Sequence, residues 1–533
     1  MIKKILIGIF IFIILLGIGG YLFLKSIQGD GMQIAMQYEN EVISKYKREL
    51  NFSDFNEGLK NISKEKIEKI ESVVINENIE YIQEEILKGT FSCEELVLFY
   101  VNRIKIYDGN YNSVIQLNPK ALERAKEIDG KIQNGDELGE LFGTIILIKD
   151  NIAEVNTNTS AGAYVLKDVK TKRDSFLVKK LKESDGIILG KVNLSEWSNF
   201  MSMPSSNGFS VLGGQTKNAY GKYDVGGSSS GSAVSASLGF ASITLGSETS
   251  GSLIYPAGQN SVVAIKPTLG LLSRDLIVPI SEAQDTAGVI GRSVEDVYKV
   301  FKSSIAYDEN DPLGKHVKEF NIEDMQKGLD KNFLAGKRIG ILKEDSERAS
   351  ELKKELQEAG AEVVEVSMDT MGDGIDMMSV LLYGMKEDVK ALLSHKDVIS
   401  EYKSLKDIVD FNKTDSKDRK PYGDELHQQA LETDLSKEEY EKIVAENRKV
   451  AGSIIDNVMR EKNIEVIASF SNELSGIYAP AMYPAVTVPA GYKEDGEPYG
   501  VTFVASLNED YKLLNIAFSY EQTTLHRKNP KIK

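Results

Sequence analysis

A chain of 533 residues with 41% hydrophobic content can build a large core, which excludes wholesale disorder. Its 80 acidic against 64 basic residues give a net charge of −16, which argues against a nucleic-acid partner, since phosphate binding needs clustered lysine and arginine. Cys93 is the only cysteine and the four histidines are scattered without ligand spacing, so neither a disulfide nor a metal site is expected, and nothing calls for a cofactor.

The chain opens with an apolar run over residues 5–24, preceded by Lys3 and Lys4 and followed by Lys25. As a helix this run spans the ~30 Å hydrocarbon core of a bilayer. The competing reading is a cleaved signal peptide, whose apolar region is usually ~7–15 residues with a small-residue cleavage site after it. No such site stands out after Leu24, so the sequence predicts a membrane anchor over 1–28. The leading lysines place the body on the outer face of the membrane, or secreted if the segment is cleaved. Residues 29–72 are polar and charged, with Met36, Ile43, Tyr46 and Leu50 at roughly heptad intervals, which predicts a helical stalk. The globular domain is then 73–533.

Within that domain, 80–87, 93–106 and 121–132 have helical periodicity, and Thr90-Phe-Ser-Cys-Glu-Glu supplies an N-cap for the second. The β-branched run 144–148 ends in Lys149-Asp150-Asn151, and 187–189 ends in Gly190-Lys191-Val192-Asn193. Further strand-like runs fall at 241–245, 339–342, 363–366, 465–468, 486–488 and 501–504, with helical patterns such as 350–359 between several of them. Alternation of this kind means an α/β protein built on a large sheet. The region 305–461 is richer in charge and long helices, suited to a cap over the sheet, and its helix 437–461 carries apolar residues on one side, as core packing requires.

The stretch 224–257 reads DVGGSSSGSAVSASLGFASITLGSETSGSLIYPA. Two Gly/Ser clusters are a flexible linker by composition alone, but the buried-looking strand between them speaks against that. Glycine lets the backbone turn or approach a ligand closely, and serine supplies a hydroxyl that can attack. Lys149 has two readings: it either reaches out to solvent or Asp150, or is desolvated until the neutral amine serves as a base. In the second case a tight turn at Ser250-Gly251-Ser252 presents a nucleophile beside backbone N–H groups, which is Ser/Lys acyl-transfer chemistry.

Lys149, GGSSSGSAVSAS, SETSGSLIYPA, Ile265-Lys266-Pro267-Thr268 and Tyr483-Pro484-Ala485-Val486-Thr487-Val488-Pro489-Ala490-Gly491 together resemble the amidase signature family over roughly 73–530. The resemblance implies an α/β fold with a large, mixed, twisted β-sheet wrapped by α-helices, here preceded by the transmembrane helix. It implies an amide hydrolase with a Ser–cis-Ser–Lys triad: Ser252 as nucleophile, Ser228 as bridge after a cis peptide at Gly227, and Lys149 as base. The oxyanion hole falls to the N–H groups of Thr249, Ser250, Gly251 and Ser252. The two serines stand 24 positions apart, as in the family.

Gly213-Gly214-Gln215-Thr216-Lys217-Asn218 and the run 279–288 resemble peptide-amidase-like members, which implies small-molecule or peptide amides as substrates. Ile254 stands where the tRNA-dependent amidotransferase subunit usually has arginine, which counts against that role. Two departures from the subgroup stand out: Ser250 occupies a place usually held by Asp or Gly, and the loop 469–475 is short. The rival functions are a catalytically silent surface binding protein of this fold and an amidotransferase-type subunit.

Overall fold

The computed structural model, which describes residues 30–532, gathers the β-branched runs into one mixed sheet of eleven strands. In chain order these are β1 (Val114–Leu117), β2 (Ile145–Lys149), β3 (Ile187–Val192), β4 (Ile243–Glu248), β5 (Val263–Lys266), β6 (Thr286–Gly291), β7 (Arg338–Leu342), β8 (Glu362–Val366), β9 (Val466–Phe470), β10 (Ala485–Tyr492) and β11 (Pro498–Val504). Across the sheet they run β1-β3-β2-β4-β6-β5-β10-β11-β9-β7-β8. Strand β2 is parallel to both β3 and β4, and β7 is parallel to β8 and β9. The remaining pairs are antiparallel.

Strands β2 through β6 are buried along their whole length, as strands covered on both faces must be. Side chains alternate between faces with period two. In β2, Ile146 and Ile148 enter one core, while Ile145 and Leu147 enter the other, beneath helix Cys93–Tyr107. Lys149 continues the second set, on the face where helix Ser230–Ser237 packs through Val234.

The helices begin where the sequence offers caps. Ser92 and Glu95 make a reciprocal capping box for Cys93–Tyr107, as Ser436 and Glu439 do for the long helix Lys437–Lys462. Helices Met377–Leu393, Leu405–Lys413 and Glu425–Glu432, all from the charge-rich region, enclose a further core with Trp197, Phe200 and Val278.

Residues 30–74 lie on the body as short pieces: Asp30–Ile34, a π-helical turn Ala35–Glu39, Asn56–Asn61 and Lys64–Val74. Phe55, Ile70 and Val74 are buried in the same core as Cys93–Tyr107, and Gln37 is fully buried.

The expectation of a transmembrane helix, with the extracytoplasmic or secreted location built on it, is corrected. Among the described residues no helix is long and apolar enough to cross a membrane. The run 5–24 lies outside the described residues. Apolar length establishes only that a segment could span a bilayer, so the anchor and the location are withdrawn.

Candidate active site

Strand β2 ends at Lys149, whose side chain is completely buried. Its Nζ lies 2.7 Å from Ser228 Oγ, 3.1 Å from the Ser247 carbonyl and 3.0 Å from Ser247 Oγ. Asp150 points elsewhere and accepts hydrogen bonds from Ser160 Oγ and the Gly162 N–H. The solvent-seeking reading of Lys149 is therefore excluded. Burial pulls its pKa down from 10.5 to about 7, against the opposing influence of the Asp285 and Glu248 carboxylates. Lys191 and Lys266 are also buried and depressed to about 8, mainly by burial. Lys191 ends on the Ile152 carbonyl, with a longer contact to Thr159 Oγ1, and Lys266 on the Pro267 and Tyr483 carbonyls. Of the three, only Lys149 reaches a serine.

The Gly/Ser clusters are not a linker. The peptide between Gly227 and Ser228 is cis, and helix Ser230–Ser237 follows it directly. The small residues let this helix lie on β4 at close range: a Cβ on Gly246 would stand 2.7 Å from Ser229 Oγ. Ser229 Oγ accepts from the Ser247 N–H and donates to the Ser247 carbonyl, while the Ser229 N–H donates to the carbonyl of Ser252 at 3.1 Å. The loop carrying Ser228 is thereby tied to the turn carrying Ser252.

That turn follows β4 and leads into the short helix Ile254–Gln259. Gly251 has φ = +86°, a conformation that costs a residue with a Cβ, and a Cβ there would also meet Asn472 Nδ2 at 2.6 Å. Ser250 is not among the residues with positive φ, so serine in place of Asp or Gly brings no backbone strain. Glu248 Oε2 accepts from the N–H groups of Leu253 and Ile254 at 2.8 and 3.1 Å, and Tyr478 OH donates to Glu248 Oε1 at 2.8 Å. Among the described residues, the N–H groups of Ser250, Gly251 and Ser252 make no hydrogen bond within the protein. Ser252 itself is half-buried.

Beside the turn is a cleft lined by Asn151, Ser198, Thr249, Arg274, Glu282 and Asp285 and walled by the segment from Ile277 to Ile280. Thr249 Oγ1 donates to Asp285, which also accepts from the N–H groups of Ile280 and Ser281. Burial pushes the Asp285 carboxyl up to about 6. Ile254, by contrast, is fully buried in the core beside Leu474, Ile477 and Tyr478. Residues 469 and 470, expected in a loop, belong to the end of β9, and the connection 471–474 that follows reaches the site, because Asn472 packs on Gly251.

Sequence reasoning missed the residues that hold this arrangement. Ser247 receives Lys149 and also the amide of Asn151, at 2.9 Å. Glu248 splints the turn, yet inside SETSGS it reads as one polar residue among several.

A buried lysine bonded to one serine, with a second serine at a glycine turn, is a layout suited to acyl transfer without histidine. The family model described as Amidase matches residues 95–472. The Arabidopsis thaliana protein named "Probable amidase At4g34880" is 35% identical over 453 residues, covering 83% of this chain and 88% of its own. The crystal structure of an amidase family protein from Bacillus anthracis str. Ames matches with a TM-score of 0.86 at 36% identity, over 90% of this chain and 97% of that one. The native peptide amidase from Stenotrophomonas maltophilia matches with a TM-score of 0.82 at 33% identity, over 86% and 99%. The chain belongs to the amidase signature family and is an amide hydrolase.

Proposed function

We propose that this hydrolase cleaves small linear amides, the C-terminal amides of short peptides among them, through an acyl-enzyme on Ser252. The observation that carries the reading is the 2.7 Å contact between Lys149 Nζ and Ser228 Oγ in a site where the amine is half neutral near pH 7. A neutral amine has two N–H bonds and one lone pair. Ser247 offers two acceptors for the N–H bonds, leaving the lone pair to receive the Ser228 hydroxyl proton.

Ser228 then takes the proton of Ser252 as Ser252 Oγ attacks the amide carbon. The N–H groups of the turn, from Thr249 to Ser252, stabilise the oxyanion, the kind of preorganised donor set that mutagenesis values at about 3–4 kcal/mol per donor. The proton returns along the same relay to the leaving amine, and water, deprotonated the same way, releases the acid. The apolar wall Ile277, Val278 and Ile280 favours hydrophobic side chains next to the scissile amide, and the likeness to a peptide amidase points the same way.

The test is ammonia release from a panel of peptide amides, aliphatic and aromatic amides, and glutamine. Turnover of peptide amides with apolar C-terminal residues, well above glutamine, is expected. Preference for glutamine would overturn the substrate assignment.

A further inference from the structure

The loop that carries Ser228 is held from a distance in sequence by the start of the described chain. Asp224, four residues before Ser228, is completely buried. Its carboxylate accepts from Tyr255 OH at 2.5 Å, the Gly226 N–H at 3.0 Å, Asn207 Nδ2 at 3.1 Å and Gln37 Nε2 at 2.7 Å. All of these donors are neutral. A buried carboxylate is costly unless its oxygens are satisfied, so each neutral donor carries weight.

Gln37 is the donor that comes from outside the domain core. It is fully buried, 187 positions from Asp224, and its Oε1 also accepts from the Val225 N–H at 3.0 Å. One amide therefore grips both a side chain and a backbone group of the segment entering the cis peptide. One turn earlier, Gln33 Oε1 accepts from the Asn207 N–H at 2.8 Å and Gln33 Nε2 donates to the Ser205 carbonyl at 3.1 Å. The π-helical turn Ala35–Glu39, closed by the Asn40 N–H on the Ala35 carbonyl, is a rare geometry that recurs at functional sites. Beyond Asp224 the loop has little room: a Cβ on Gly227 would lie 2.5 Å from Ser195 Oγ and 2.7 Å from Asn207 Oδ1.

We propose that Gln37 is a positioning residue for the reaction, which acts through Asp224 and Val225 to hold the Ser228 loop in register with Lys149. The strap 30–40 thereby serves the active site and is more than a covering of the body. The inference rests on Ser228 being the proton bridge. A displacement of about 1 Å in such a relay costs rate far more than it costs binding.

The experiment uses the full chain and the variant Gln37→Met, which removes donor and acceptor at nearly constant volume. Fluorophosphonate labelling rate, kcat, KM and melting temperature are measured together. The expected result is a fall of about tenfold or more in labelling rate and kcat, with KM within about twofold of wild type. Wild-type labelling and kcat overturn the proposal, whether or not the melting temperature falls, because a purely structural strut would change stability alone. Should Gln37→Met not fold, Gln33→Met loosens the same strap through Asn207 and is held to the same outcomes. A wild-type protein that takes no label fails at Ser252 and takes this inference with it; a labelled wild type with unaffected variants overturns the strap alone.

Discussion

Lys149 closes strand β2 with its Nζ 2.7 Å from Ser228 Oγ, and the carboxylates that act on it, Asp285 and Glu248, do so only through space. An amine so placed is close to balance between its charged and neutral forms at neutral pH. Replacing it separates chemistry from folding. Lys149→Met is expected to lose about 10²–10⁴-fold in kcat while remaining folded. Amide hydrolysis and thermal melts on the same preparations check both.

The same lysine makes activity and stability depend on pH in predictable directions. If the proposed relay holds and the neutral amine is the active form, kcat/KM should rise with pH through a midpoint near 7. For stability, the folded value of about 7 lies below the ordinary 10.5, so between them the unfolded chain binds more protons. The contribution of Lys149 therefore falls as pH drops from 10.5 to about 7 and levels off below. Lys191 and Lys266 shift in the same direction but are common to wild type and Lys149→Met. The wild-type melting temperature should accordingly drop relative to that of Lys149→Met as pH falls through this window. A constant difference would contradict the depressed pKa.

The turn carrying Ser252 supplies a paired prediction. Gly251→Ala places a Cβ at φ = +86° and against Asn472, so a loss of about 1–2 kcal/mol is expected, with a larger proportional loss of activity. Ser250→Ala keeps the backbone N–H at negative φ and should leave stability within about 0.5 kcal/mol and turnover within a few-fold. Equal effects at the two positions would show that the turn tolerates either.

Tyr478→Phe removes the donor to Glu248 Oε1 and leaves a buried carboxylate oxygen without it. A cost of about 1–3 kcal/mol is expected, read from denaturant melts. Activity should fall further than in a comparable core variant, because Glu248 splints the N–H groups of Leu253 and Ile254 just after Ser252.

Much of this was legible in the sequence for physical reasons. Short apolar runs rich in β-branched residues, such as 144–148, point to buried strands, and a lysine closing one announces itself. The strands Val263–Lys266 and Thr286–Gly291 do not stand out as strands in the sequence, because glycine, alanine and a terminal lysine dilute the β pattern. Ser247 and Glu248 lie within the stretch 224–257, but their roles depend on which strand lies beside β4, and β2 is far away in the chain. Gln37 carried no signal: a glutamine in a polar helical stretch reads as solvent-facing, and its partner is 187 positions on. The apolar run 5–24 suggests an anchor by length and composition alone, and it lies outside the described residues, among which no helix could cross a membrane.

The central claim is that Ser252 attacks, with its proton passed by Ser228 to Lys149. Trapping the acylated or fluorophosphonate-labelled protein and mapping the adduct by peptide mass spectrometry tests it most directly. The expected result is a single adduct on Ser252, absent from Ser252→Ala and formed at least about 10²-fold more slowly in Lys149→Met. An adduct on Ser228 or Ser250, or labelling of Lys149→Met at the wild-type rate, would contradict it.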